Sequence, residues 1–235
     1  MKYKKIIWLF ILITIFAIFR FIVEGKNEFN SFYLMPDFMS NNYGYLSYFS
    51  LATYHCLTYI LFFTSFLEPM SSQVIIRTTR IRLMKRYEAT AIICSTIFVF
   101  IYILPHILFF IIYYDIAALT SIGFFNVIIC QVISLILYYI LFSQLFIFIY
   151  IKTFRYFISI FLIFLLSTVL MFMYHILKIS TPIRYIMICT EYYFDNVEIK
   201  KIYFNTLIVF IPMILITAIL NIILIQKKDV IKREH

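Results

Sequence analysis

Glycine is almost missing from this sequence: there are three in 235 residues. A nucleotide-binding loop of the GxxxxGK[ST] type needs two closely spaced glycines, and Gly25, Gly44 and Gly123 cannot supply them. So few glycines also argue against a long loop-rich domain. Charge is the second scarcity. Only 13% of residues are charged and 64% are hydrophobic, against about 25% and about 45–50% in a soluble globular domain. No Asp or Glu lies in the middle of any apolar run, so paired-carboxylate chemistry has no place there. HExxH, GxSxG and CxxC are all missing. Repeats, low-complexity tracts and Gly/Ser linkers are missing too. The sequence therefore offers no catalytic, metal or cofactor site of its own.

What is present is a series of long apolar runs. A hydrocarbon core about 30 Å thick needs about 20 apolar residues per helix. The runs predict an all-α membrane protein in one domain, with six transmembrane helices at about 6–23, 46–67, 89–112, 122–151, 156–177 and 204–225. Pro69 ends the second span, because a residue before proline is steered away from the helical region. Pro105 and Pro212 lie inside spans 3 and 6 and should kink them. Residues 24–45 and 178–203 read as outer loops, and 113–121 as a short outer loop. Within 178–203, Thr181-Pro182 resembles a cap and first turn, and Tyr185 to Cys189 is too short to span. Lys2, Lys4 and Lys5 before an apolar run, with no cleavage site after it, read as a retained signal anchor.

The net charge of +9 lies at span ends. Lipid head groups and topology account for it, and nucleic acid is not an expected partner. Lys and Arg resist translocation, so basic loops stay inside. Fourteen of the twenty Lys and Arg fall on the side of the termini, and six on the other. Both termini are therefore expected in the cytoplasm of a cell membrane. The densest cluster is the loop 68–88, with Arg77, Arg80, Arg82, Lys85 and Arg86. Its latter half can extend span 3 as a helix.

Polar residues inside the spans form the other candidate set. His55 and Thr58 share one side of span 2. Asn126, Ser134 and Tyr138 recur in span 4 at multiples of four, with Gln131 beside them. Such a stripe suits a translocation path and interhelical packing equally. His55 is expected to make an interhelical hydrogen bond. Cys56, Cys94 and Cys130 lie in apolar runs without metal-type spacing and read as packing residues.

A basic segment between spans 2 and 3 of a six-span chain resembles the permease subunits of type-2 ABC exporters. More narrowly, it is similar to the small, divergent permeases of bacterial peptide or bacteriocin transport systems. The local pattern Val74-Ile75-Ile76-Arg77 resembles the loop of those permeases. The resemblance implies a coupling segment at Gln73 to Arg86 that docks on an ATPase, with Gln73, Ile76, Arg77, Arg80, Arg82, Lys85 and Arg86 as its contacts. It implies an outer region of short membrane-dipping helices at 178–203. It also implies cytosolic ABC ATPase subunits that carry the ATP and magnesium, a second permease subunit and a peptide cargo. One departure is the short lead before span 1, where many family members carry an amphipathic interfacial helix. A non-transporting membrane protein, such as a bacteriocin immunity protein or a membrane scaffold, fits the composition equally well.

Overall fold

A computed structural model describes residues 46–70, 79–193 and 195–227, together with Ile11, Thr14, Ile15 and Ile18. The described regular structure is entirely helical. Of expected span 1, the four isolated residues are helical, and Ile11, Ile15 and Ile18 are exposed at the spacing of one helical face. The rest of span 1, the loop 24–45, the stretch 71–78 and the tail from 228 lie outside the described residues.

Helix α1 opens at Tyr48–Ser50, widens into a π turn at Leu51–His55 and continues as Cys56–Phe66. Leu67 is extended, just ahead of the Glu68-Pro69 step that cannot stay helical. Helix α2, Arg80–Tyr113, begins well before expected span 3, so the latter half of the basic loop is a helical extension. Thr79 caps it, its side chain accepting from the Arg82 N–H. The residues expected as a short outer loop contain helix α3, Ile116–Ser121. Asp115 organises it by accepting from the Ala117 N–H at 3.4 Å, a capping effect that hydropathy does not register.

Helix α4, Phe124–Thr153, starts from Gly123 with φ 73° and ends at Phe154 with φ 55°. The turn into α5, Tyr156–His175, is therefore only two residues long. A 3₁₀ turn, Arg184–Ile186, and the short helix α6, Ile188–Tyr193, precede α7, Ile199–Lys227. Among the described residues four helices are long and apolar enough to cross a membrane: α2, α4, α5 and α7, with mean hydropathy between 2.4 and 2.9. Helix α1 is shorter and buries one broad face, with Leu51, Ala52, Cys56, Tyr59, Phe62 and Phe63 inaccessible, while Tyr54 and Leu61 are exposed on the other.

Helix α4 is the centre of the packing. In its most apolar window 61% of residues are buried, against 22% in α5 and 17% in α7. Its most extensive contact is with α7, followed by α2 and α5. The core is aromatic: Tyr139 of α4 meets Tyr59 of α1 at 4.5 Å between ring centroids and Phe98 of α2 at 5.2 Å. Offset and edge-on ring pairs of this kind are favoured over flat stacking. The outer faces are apolar as well. Phe157, Phe161, Leu165 and Val169 form one exposed stripe on α5, and Phe204, Ile208, Ile211 and Leu215 one on α7. Continuous exposed apolar faces on several helices call for an apolar surrounding rather than water.

Gly123, the glycine among the described residues, has a demanding conformation. Its φ is left-handed, and a β-carbon there would stand 2.9 Å from Tyr192 Oη. Gly123→Ala is expected to cost about 1–2 kcal/mol from the backbone alone, lowering the melting temperature in detergent by about 2–4 °C per kcal/mol. Adding Tyr192→Phe should relieve the contact but not the backbone strain, so recovery should be partial. A melting temperature unchanged by Gly123→Ala contradicts this reading of the turn.

Candidate functional site

The end of the bundle that carries the basic residues is tied together by side chains reaching main-chain groups. Met70 N–H donates to Tyr150 Oη at 3.0 Å, and Tyr87 Oη donates to the Glu68 carbonyl at 2.7 Å. These two bonds hold the segment after α1 against α4 and α2. Tyr150 also stacks on Tyr156 at 4.4 Å, so the start of α5 joins the same cluster. Arg80 donates to the carbonyls of Gln226 at 2.7 Å and Ile225 at 3.4 Å. Carbonyls in a helix's last turn lack intrahelical partners, and a cation there also meets the negative end of the helix dipole. The start of α2 is thus fastened to the end of α7. Arg86 pairs with Glu68 at 3.4 Å, but both side chains are half exposed, so the pair contributes little. Arg82 and Lys85 are exposed on the helical extension.

Gln73, Ile76 and Arg77 lie outside the described residues. What surrounds them is described: Met70 on one side and Thr79-Arg80 on the other are fastened to α4, α2 and α7.

The polar residues inside the bundle are engaged with neighbours. Tyr59 Oη of α1 hydrogen-bonds Ser95 Oγ of α2 at 2.7 Å and also Ser143 Oγ of α4. Tyr138 of α4 meets Ser167 of α5 at 3.1 Å, and Ser167 Oγ donates to the Ala52 carbonyl in the π turn of α1 at 2.7 Å. A π turn disturbs the regular backbone ladder, and Ser167 brings a donor to it from another helix. Asn221 of α7 donates to the side-chain oxygen of Gln144 at 2.9 Å and to its carbonyl at 3.0 Å. Gln131 donates to the Ile186 carbonyl at 2.7 Å, which pins the 3₁₀ turn against α4.

The expected stripe therefore divides. Gln131 and Tyr138 bind other elements, Ser134 donates back to the Cys130 carbonyl of its own helix, and Asn126 is exposed. Thr58 donates back to the Tyr54 carbonyl. His55 is buried with its ring 4.5 Å from that of Tyr102. His106 packs likewise beside Phe110, at 4.8 Å. Tyr59, Ser95, Ser143, Gln144, Ser167 and Asn221 were not among the candidates. Gln144 and Asn221 carry a usable signal, being amides in long apolar runs, but nothing in their spacing pairs residues so far apart. The serines carry none.

The middle of the region between α5 and α7 is tucked in, while 176–180 are exposed. Ile183, Ile186, Ile188 and Cys189 are buried, and Glu191 pairs with Arg184 at 3.0 Å. The hydrogen bond to Glu191 raises the Arg184 guanidinium further above its ordinary value. Burial pushes the Cys189 thiol up to about 12. Among the described residues no cluster of His, Cys, Asp or Glu side chains could hold a metal ion.

The class these features define is a helical protein that has, among the described residues, four membrane-length apolar helices around a polar-stitched core. Comparison of the chain with protein-family models, with curated proteins and with solved structures finds no match.

In a variant that keeps Cys189 as its sole cysteine, a thiol reagent should modify it slowly, since thiolate is scarce and access is blocked. Gln131→Leu leaves the Ile186 carbonyl unpartnered, a loss of about 1–3 kcal/mol, and should speed modification of Cys189 as the segment loosens. Mass spectrometry of the adduct reads both rates. Rapid labelling in the parent would show that the segment does not sit against α4.

Proposed function

We propose that this chain is the membrane-spanning permease subunit of a bacterial ABC transporter, with six spans and both termini in the cytoplasm. It pairs with a second permease, identical or sister, and with cytosolic ATPase subunits that hold ATP and magnesium. Its cargo is a hydrophobic or cationic peptide carried outward, for secretion or self-protection.

The observation that carries this reading is the basic end. Stretch 71–78 is flanked by Met70, held by Tyr150 of α4, and by Arg80, held to the end of α7. A partner pushing on that stretch would act at once on the ends of α1, α2, α4 and α7. A loop that only set topology would need no such fastening. The tucked segment at 183–193 also supports the reading, since the resemblance implies short helices between spans 5 and 6.

One observation favours the second reading, a non-transporting immunity protein or scaffold. Gln131 and Tyr138 are spent on contacts within the chain. On the transporter reading, the path lies between two subunits or opens when these bonds exchange.

The test leaves the Arg80 fastening intact. Arg77→Gln with Arg82→Gln removes two basic charges from the segment and its extension. If a desolvated charged contact binds an ATPase, the ATPase recovered with the purified chain should fall about tenfold or more, with membrane insertion preserved. Recovery of no ATPase with the parent chain favours the second reading. Undiminished recovery with the variant means that these charges do not hold the partner.

A further inference from the structure

We propose that the groove between the beginnings of α4 and α7 is a binding site for one anionic phospholipid. The groove encloses about 370 Å³. Asn126, Ile129, Cys130 and Ile133 form its α4 wall, and Ile199, Lys200 and Tyr203 its α7 wall. Both helices run from this end of the bundle toward the Arg80 end, so residue number along each wall reads as depth. Asn126 and Lys200 stand at the mouth. Ile133 lies deeper, about 10 Å from Asn126 at 1.5 Å per residue.

The walls therefore pass from polar to apolar in the order that a phospholipid does, head group above acyl chain. The groove lies on an apolar outer surface: Ile129, one of its lining residues, is 58% exposed. Tyr203 borders the groove near its mouth, where an amphipathic ring is favoured at a membrane interface. Lys200 is exposed and supplies a positive charge for a phosphate, with Asn126 as a second polar contact. The acidic neighbour, Glu198, lines an adjacent cavity with Tyr192 and Tyr193 rather than this one. A negative head group over a hydrocarbon chain matches both the charge and its depth.

This inference rests on α4 and α7 crossing a bilayer, and membrane fractionation of the expressed chain scores that premise separately. The test is native mass spectrometry of the protein purified in mild detergent. Phosphatidylglycerol and phosphatidylcholine with identical acyl chains are supplied in equal amounts. Phosphatidylglycerol should be retained preferentially, and Lys200→Gln should lower that preference about fivefold. Lys201→Gln, one residue outside the groove lining, should leave it unchanged. Excess inorganic phosphate should not displace the lipid, because the apolar wall holds the chain. Equal retention of the two lipids by the parent overturns the proposal. So does an unaltered preference in Lys200→Gln, or displacement by phosphate, which would make the site one for the free anion. A chain that pellets with membranes yet shows no preference removes the groove and leaves the membrane reading standing.

Discussion

A hydroxyl or an amide among hydrocarbon side chains has no water to bond, and its partner must come from the chain itself. That constraint selects which faces of α4 meet which helices. Ser143 turns toward Tyr59 of α1, which also holds Ser95 of α2. Tyr138 turns toward Ser167 of α5. Gln144 faces Asn221 of α7. Apolar packing alone would leave the rotation of each helix loosely set, because one Ile face resembles another. The polar pairs remove that freedom. Each bond is worth only about 0.6 kcal/mol on average in a membrane, so their effect is on register more than on total stability.

The helices were legible in the sequence because their cause is local. Hydropathy over a window of one span's length needs no knowledge of the neighbours, and it placed α2, α4, α5 and α7 to within a few residues on most sides. The misses have non-local or single-residue causes. The helix at Ile116–Ser121 depends on one capping carboxylate, Asp115. The helical extension at the start of α2 was expected, but not what holds it: the Thr79 cap and Arg80 at the end of α7. The π turn at Leu51–His55 is met by Ser167, more than a hundred positions away. Among the polar residues, Gln131 and Tyr138 stood out in the sequence, but whether they line a path or pack could not be read there. Their partners, Ile186 and Ser167, lie on other elements.

The two ends of the bundle are built differently. At the Arg80 end, tyrosines and one arginine bind main-chain groups of other elements, so Met70 and Arg80 are each coupled to the ends of other helices. At the opposite end, a compact segment folds inward, and its carbonyl at Ile186 is capped by Gln131. A load applied at the Arg80 end would reach the other end chiefly through α4 and α7, which share the most extensive contact. The Gln144–Asn221 pair sits on that shared face, with both side chains buried.

The central claim is that α4 is the hub and that its buried polar side chains fix its register against its neighbours. Cysteine cross-linking across α4 and α7 tests it most directly. In a background without the four native cysteines, Gln144→Cys and Asn221→Cys should join readily under mild oxidation in native membranes. Gln144→Cys with Ile219→Cys should not, because Ile219 is 55% exposed on the outer face of α7. A fast 144–221 cross-link with a silent 144–219 pair is the predicted result. The reverse pattern, or equal yields from both pairs, would contradict the account.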